Sequence, residues 1–324
     1  MRFGILSTAN IARTAVMPAI AASDHDLVAV ASRNRDRARD LADEFGIDAA
    51  YGSYDGLLAD DDVDAVYNPL PNALHREWTE KAAEAGKHVL CEKPLGVDAD
   101  DAAHMVDFCE DHGVTLMEAF MYRHHPRTER AVEIAAEELG EIHSVNATFT
   151  FNLGGRPDDI RLDPDLAGGS LMDVGCYAVN VARTFLGQPD SVHASTLDRR
   201  DSGVDTHVAG VLDYPHALAN VTAGFDSKSV EHYRVEGEDG WLEVHDAFTP
   251  GADERAELTY EADGRRVTET FDPVDQYERE VEAFADAVDT GSAPRMSGAE
   301  AVENMAVIDA LYESAERGER VDLE

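Results

Sequence analysis

The chain has 324 residues, with 27 Lys and Arg against 66 Asp and Glu, a formal net charge of −39 at pH 7. Its hydrophobic fraction of 44% is that of an ordinary folded core, and the length suits about two domains. A surface this negative repels phosphate backbones and anionic headgroups, which excludes generic nucleic-acid or membrane-surface binding, and no apolar run approaches the ~20 residues that span a bilayer. Met1 to Leu6 leads straight into a short apolar strand without the layout of a signal peptide. Cys91, Cys109 and Cys176 lack C-x-x-C spacing, so no disulfide framework is expected and a reducing cytoplasm fits. Lys81, Lys87, Lys93 and Lys228 are the only lysines, the remaining cations being arginine. An acid-rich, lysine-poor surface over a normal core suits a salt-rich cytoplasm, where at ~1 M salt the Debye length is about 3 Å.

In chain order, the first 119 residues alternate strand and helix. Phe3 to Ser7 reads as a buried strand, followed by an Ala-rich helix through Ala22. Leu27 to Ser32 is the second strand, and Asp36 to Phe45 a helix closed by Gly46, which suits a left-handed C-terminal cap. Val63 to Tyr67 is a third strand. Asn72 is expected to cap a helix through Ala85, stopped by Gly86. His88 to Cys91 follows as a strand, Asp98 caps a helix ending at Gly113, and Val114 to Met117 closes the series. Short apolar strands separated by helices of this length specify a doubly wound parallel sheet.

After Phe120 the pattern changes. A helix from about Pro126 to Leu139 leads into the alternating strand Val145 to Phe151. Strand-like runs then recur at Val208 to Leu212, Ala219 to Phe225, Tyr233 to Glu236, Trp241 to Val244, Ala256 to Tyr260 and Arg266 to Phe271. Short turns join several of them, so a mostly antiparallel sheet is expected in an α+β domain. Helices within about 276–316 close the chain. The expected domains are therefore 1–119 and 120–324.

The first strand runs into Ser7, Thr8, Ala9, Asn10, Ile11 and Ala12, in the place of a G-x-G-x-x-G phosphate turn but with Ser, Ala and Ala for the glycines. Small residues still let a pyrophosphate approach the backbone, and the helix N-terminus behind them favours negative charge; an ordinary strand-to-helix turn has the same smallness. At the end of the second strand, NAD-selective sites place Asp or Glu for the ribose 2′-hydroxyl. Here Ser32 and Arg33 stand instead, a hydroxyl and a guanidinium suited to a 2′-phosphate and hence to NADP; the alternative is that Arg33 only begins a solvated helix. Pro69, Leu70, Asn72 and His75, then Glu92, Lys93 and Pro94, follow further strands, where open α/β sheets hold ligands. A proline after Lys93 is the one residue type that readily takes a cis bond.

Taken in order, these segments resemble the glucose–fructose oxidoreductase/inositol dehydrogenase (Gfo/Idh/MocA) family, in particular its sugar and dihydrodiol dehydrogenase branch. The resemblance rests on Ser7 to Ala12, Ala85 to Pro94, Glu118 to Pro126 and Gly168 to Tyr177, and covers almost the whole chain. It implies a Rossmann domain, a second domain with a large open sheet that commonly forms oligomer contacts, and a bound nicotinamide cofactor contacted by the phosphate-turn residues, Ser32, Arg33, Pro69, Leu70, Asn72, His75, Glu92, Lys93 and Arg123. Lys93 matches the family's active-site lysine, and Asp173 and Tyr177 match its D-x-x-x-Y/H pair.

The chemistry agrees with that assignment. An ammonium beside the reacting oxygen stabilises alkoxide charge, and a nearby cation favours a tyrosine's phenolate, making it a proton acceptor. Asp173 would orient the lysine or the substrate hydroxyl; without the resemblance it and Tyr177 read as a capping carboxylate and a packed aromatic. Arg161 is a further candidate for substrate contact, and His125 and Asn180 are candidates to line the site. No metal is expected, since His124 and His125 point apart on most backbones and no zinc-like spacing is present. The expected activity is NADP-dependent sugar oxidation at a carbinol carbon, with an aldopyranose such as D-xylose or D-glucose oxidised at C1 to the lactone. The alternatives are a dihydrodiol dehydrogenase, a reductase of a keto-sugar such as 1,5-anhydrofructose, NAD in place of NADP, or an NADPH-sensing regulator without turnover. A homodimer or homotetramer is expected.

Overall fold

Apolar strand residues with no exposed surface, among them Phe3, Ile5, Val30, Val66 and Leu90, assemble the first sheet in the computed structural model, which describes residues 1–156 and 159–323. Burying each such side chain contributes roughly 1.5–3 kcal/mol. The strands are β1 (Arg2–Leu6), β2 (Asp26–Ala31), β3 (Ala49–Tyr51), β4 (Ala65–Asn68), β5 (His88–Glu92) and β6 (Leu116–Ala119). They lie in the order β3-β2-β1-β4-β5-β6 and every neighbouring pair is parallel. This is the doubly wound order, in which the strand order reverses between β1 and β4 and ligands bind beyond the carboxyl ends.

The connecting helices are α1 (Met17–Ala22), α2 (Arg35–Phe45), α3 (Tyr54–Leu58), α4 (His75–Glu84) and α5 (Ala99–Asp111). Gly46 ends α2 at φ 69°, and the Asp98 carboxylate accepts from the Asp101 amide at 2.7 Å at the start of α5. Asn72 does not cap a helix as expected. It opens a 3₁₀ turn, Asn72–Leu74, and α4 begins only at His75, because Pro69 and Pro71 keep the preceding backbone extended.

The remaining strands form a nine-stranded sheet: β7 (Ile142–Asn152), β8 (Ser191–Leu197), β9 (His207–Asp213), β10 (Leu218–Gly224), β11 (Asp226–Gly237), β12 (Gly240–His245), β13 (Ala256–Ala262), β14 (Arg265–Phe271) and β15 (Val321–Asp322). Their order is β14-β13-β12-β11-β7-β10-β9-β8-β15. Only β7 and β10 run parallel; the other neighbours are antiparallel. The mostly antiparallel reading therefore holds, and β3, β8 and β15 are strands the sequence did not announce. Helices α6 (Pro126–Glu138), α7 (Cys176–Leu186), α8 (Gln276–Thr290) and α9 (Gly298–Arg317) complete the chain.

The chain divides into one unit of Met1–Met121 with Asp275–Val302 and a second of Tyr122–Val274 with Glu303–Glu324. Residues 275–302 thus differ from the expected 120–324 domain. The reason lies in α8, whose buried Val281, Phe284 and Ala285 pack on α1, with the Phe284 ring 6.0 Å from Phe3. The three cysteines are buried and free. Among the described residues no helix is long and apolar enough to cross a membrane.

Candidate functional site

In the first unit the candidate residues gather where the strands end. Ser7 directly follows β1 and adopts φ 151°, a conformation natural to glycine and rare for an L side chain. The serine therefore holds, at the first glycine position of the motif, a backbone conformation that glycine would adopt more easily. The next helix begins at Asn10, and a π-helical segment, Ala12–Val16, interrupts it before α1. Such single-turn π segments are frequent at functional sites. Ala12, at the third glycine position, has no exposed surface, as close helix–sheet packing requires.

At the end of β2, Ser32 is 8% exposed and its hydroxyl accepts from the Asn34 amide at 3.2 Å. Asn34 caps α2 through the Asp36 and Arg37 amides, so Arg33 is not needed to start that helix. Arg33 is exposed and makes no ion pair among the described residues, in a chain where most arginines are engaged by carboxylates.

After β4, Asn68 is fully buried and its amide donates to the His75 carbonyl and the Thr79 hydroxyl, both at 3.3 Å. His75 is also fully buried. One ring nitrogen lies 2.7 Å from the Leu70 carbonyl and the other 2.9 Å from the Pro94 carbonyl, and burial pushes its pKa down. Both nitrogens thus face carbonyls of the protein's own loops, the neutral ring donating to one of them, and His75 clasps the Pro69–Leu70 loop to the segment bearing Lys93. Lys93 follows β5 at a cis Lys93–Pro94 bond and is half-buried. Beyond it, the Leu95 amide donates to the buried Glu118 carboxylate at 2.9 Å. On its other side Glu92 accepts from the Tyr67 hydroxyl at 2.5 Å. The segment on either side of the lysine is thereby held, by a backbone amide on one flank and a side-chain carboxylate on the other.

In the second unit, Asp173 lies in a second π segment, Leu171–Gly175, and Tyr177 in the first turn of α7, which continues it. Asp173 accepts from the Arg161 Nε at 2.7 Å, and Arg161 also reaches Asp159 at 3.2 Å. The Asp173 charge, followed by that of Asp159, holds the guanidinium in its protonated form. Tyr177 is 4% exposed and packs among Phe248, Phe149 and Tyr122, with ring centroids at 5.2, 5.4 and 5.9 Å.

Asp205 organises this segment and was invisible to sequence reading. Its carboxylate accepts from the Ser170 hydroxyl at 2.6 Å, the Leu171 amide at 2.9 Å and the Tyr312 hydroxyl at 2.7 Å. Gly169, at φ 119°, makes the approach possible, since a Cβ there would lie 2.4 Å from Asp205 Oδ1. Three further site candidates have partners within the fold. Arg123 donates to Asn180 Oδ1 at 3.2 Å and to the Thr184 hydroxyl at 2.6 Å, which anchors its guanidinium on α7. Asn180 is fully buried and also accepts from the Tyr122 hydroxyl at 2.6 Å. His125 caps α6, its ring accepting from the Arg127 amide at 3.0 Å.

Comparison with known proteins gives a consistent set of likenesses. Residues 1–120 match the model of the "Oxidoreductase family, NAD-binding Rossmann fold" (Gfo/Idh/MocA), and residues 128–243 match the "GFO/IDH/MocA C-terminal domain". The chain is 58% identical over 325 residues, covering 100% of both chains, to "D-xylose 1-dehydrogenase (NADP(+)) 2" of Haloferax volcanii. It is 33% identical to "D-xylose 1-dehydrogenase [NADP(+)]" of Haloarcula marismortui, over 100% of this chain and 93% of that one. Among solved structures, a 3-ketoreductase from Actinomadura kijaniata in complex with NADP and TDP-benzene superposes with a TM-score of 0.91 at 34% identity, over 97% of each chain.

Proposed function

Because the chain belongs to the Gfo/Idh/MocA oxidoreductase family, we propose that it is an NADP-dependent sugar dehydrogenase that oxidises an aldopyranose, D-xylose or D-glucose, at C1 to the lactone. The observation that carries this reading is the full-length, 58% identical relative that oxidises D-xylose with NADP. The residues present fit such a cofactor. Ser7 already holds a phosphate-turn backbone, Ser32 and the unpaired Arg33 stand at the end of β2, and no acidic residue stands in their place to repel a 2′-phosphate. The nicotinamide ring, when bound, accepts a hydride from the carbinol carbon.

The remaining chemistry belongs to the chain. Tyr177 takes the hydroxyl proton as the C–O bond becomes a carbonyl, and the Lys93 ammonium stabilises the alkoxide that forms on the way. Asp173, held by Arg161, orients the substrate hydroxyl. Thr8, Ala9, Asn10 and Ile11 supply backbone donors to the pyrophosphate, Pro69, Leu70 and Asn72 flank the cofactor, and Glu92 fixes the approach to Lys93. His75 acts by positioning that loop.

A turnover screen of aldoses with NADP⁺ tests the reading, together with Lys93→Ala and Tyr177→Phe. Each variant should lose at least ~100-fold in kcat, within the range expected for acid–base and electrostatic groups; unchanged sugar oxidation would refute the assignment. Arg33→Ala should weaken NADP more than NAD, and equal loss would remove the 2′-phosphate role. Reduction of a keto-sugar is the second reading, favoured by the likeness to the 3-ketoreductase, and the same screen run with NADPH decides between them. We also propose a homodimer or homotetramer, the assembly that the family resemblance implies for the open sheet. Light scattering in high salt measures that assembly directly.

A further inference from the structure

The hairpin formed by β11 and β12 sets two histidines face to face. His232 and His245 are directly opposed partners in the antiparallel register, with ring centroids 4.5 Å apart and planes inclined by 34°. Glu243 precedes His245 by two residues and so projects from the same face, diagonal to His232. Burial along the hairpin confirms the sidedness: Tyr233, Val235, Leu242 and Val244 are buried, while His232, Glu243 and His245 alternate with them on the more accessible face. One ligand atom from each of the three lies within 4.8 Å of the others.

We propose that His232, Glu243 and His245 form a binding site for a late first-row divalent transition metal, Zn²⁺, Ni²⁺ or Cu²⁺, separate from the dehydrogenase chemistry. Two imidazoles and a carboxylate are the donor set these ions select over Mg²⁺ or Ca²⁺. Ligand atoms about 2.0–2.2 Å from a tetrahedral ion sit roughly 3.3–3.6 Å from one another, so the three donors need draw together by no more than about 1.5 Å to hold an ion. Three protein ligands leave the fourth position to water.

Two arginines compete for the carboxylate. Arg234 bonds Glu243 Oε2 at 3.1 Å and is itself held by Glu236 at 2.6 Å and by the Trp241 ring at 4.1 Å. Arg266 meets Glu243 Oε1 only at 3.6 Å, with its side chain 63% exposed. Oε1 is therefore the oxygen that turns to the ion, at the loss of one loose, solvent-screened ion pair. The ion in turn ties β11 to β12 across the hairpin.

The test uses the intact, chelator-treated protein in high-salt buffer, titrated with Zn²⁺ by calorimetry and with Cu²⁺ followed by electron paramagnetic resonance. One Zn²⁺ per chain is expected, with nitrogen hyperfine structure from two imidazoles in the Cu²⁺ spectrum. His232→Gln and His245→Gln should each weaken binding at least ~10-fold and reduce the signal to one nitrogen ligand, and Glu243→Gln should weaken it severalfold. Zn²⁺ should also raise the melting temperature of the wild type but not of the His232→Gln/His245→Gln double variant. Sugar-oxidation rates of these variants without added metal should match wild type, which separates failure of this site from failure of the proposed enzyme activity. Absence of Zn²⁺ binding at millimolar concentration, or equal binding by wild type and the double variant, would overturn the proposal.

Discussion

Replacing Asp205 tests how the second unit holds Asp173 and Tyr177 in place. The carboxylate is the common acceptor for the Ser170 hydroxyl, the Leu171 amide and the Tyr312 hydroxyl, and it is only 8% exposed. Hydrogen bonds to a charged group contribute about 1.5–3 kcal/mol each. Because the three share one carboxylate they are not additive, and Asp205→Ala should cost about 4–5 kcal/mol, leaving three buried donors to find new partners. At roughly 2–4 °C per kcal/mol for a unit of this size, the melting temperature should fall by about 10–15 °C. Asp205→Asn retains the shape, and the Tyr312 hydroxyl can reverse to accept from the amide, so its loss should be nearer ~2 kcal/mol. Tyr312 carries a pKa raised well above its ordinary value, by burial first and then by the Asp205 charge, as befits a phenol that donates to that carboxylate. The segment anchored by these bonds leads directly into the π turn bearing Asp173. Asp205→Asn, assayed well below its melting point, should therefore lose about tenfold in kcat while its NADP affinity stays near wild type. Scanning calorimetry and steady-state kinetics in high salt read both effects. An Asp205→Ala protein that melts within ~2 °C of wild type would refute the reasoning.

Three further outcomes follow from particular residues. Ser7→Gly relieves a φ of 151° that is worth roughly 1–3 kcal/mol of strain, against about 0.5–1 kcal/mol of added chain entropy, so it should stabilise by about 1 kcal/mol in thermal melts; destabilisation would contradict the strained-turn reading. His125 is held down to about 4 from an ordinary 6.5, by burial and then by the Arg127 charge. Since the folded pKa is depressed for a base, the unfolded chain binds the extra proton between those values, and stability present above pH ~6.5 should fall by up to about 3 kcal/mol as the pH drops to ~4. His125→Asn keeps an N-cap without a titrating ring and should flatten that part of the pH profile of the melting temperature. Finally, the melting temperature should rise between 0.1 and 2 M KCl as the Debye length shrinks from about 10 Å to under ~3 Å; a salt-independent melt would contradict the reading of the −39 net charge as an adaptation of the surface.

The doubly wound first sheet was legible, apart from its three-residue edge strand β3, because its other strands are short and apolar, most of them largely buried, so composition and spacing specify them. The second sheet was legible in outline from alternation. However, β8, running Ser-Val-His-Ala-Ser-Thr-Leu, shows too few apolar residues to declare itself, and β15 is only two residues long. The placement of α8 with the first unit depends on Phe284 meeting Phe3, a pairing across most of the chain that no local pattern reveals.

The site divides in the same way. The sequence by itself determined the residue types and their order along the chain: the small-residue turn from Ser7, the arginine at the end of β2, and Lys93 before a proline. These are local features, the ones a backbone would need to approach a phosphate and an ammonium to stand beside an alkoxide under the proposed function. Tertiary structure decided which of the other polar residues stay available for ligands. It engaged His75 with two carbonyls, Arg123 with α7 and His125 with a helix cap, because buried donors and acceptors must find partners wherever the fold brings them. It also made Asp205 the anchor of the Asp173 segment. By register alone, it brought His232 opposite His245, thirteen positions apart in the chain. Cross-strand neighbours are set by pairing between strands, and the order of residues along one strand does not contain that information.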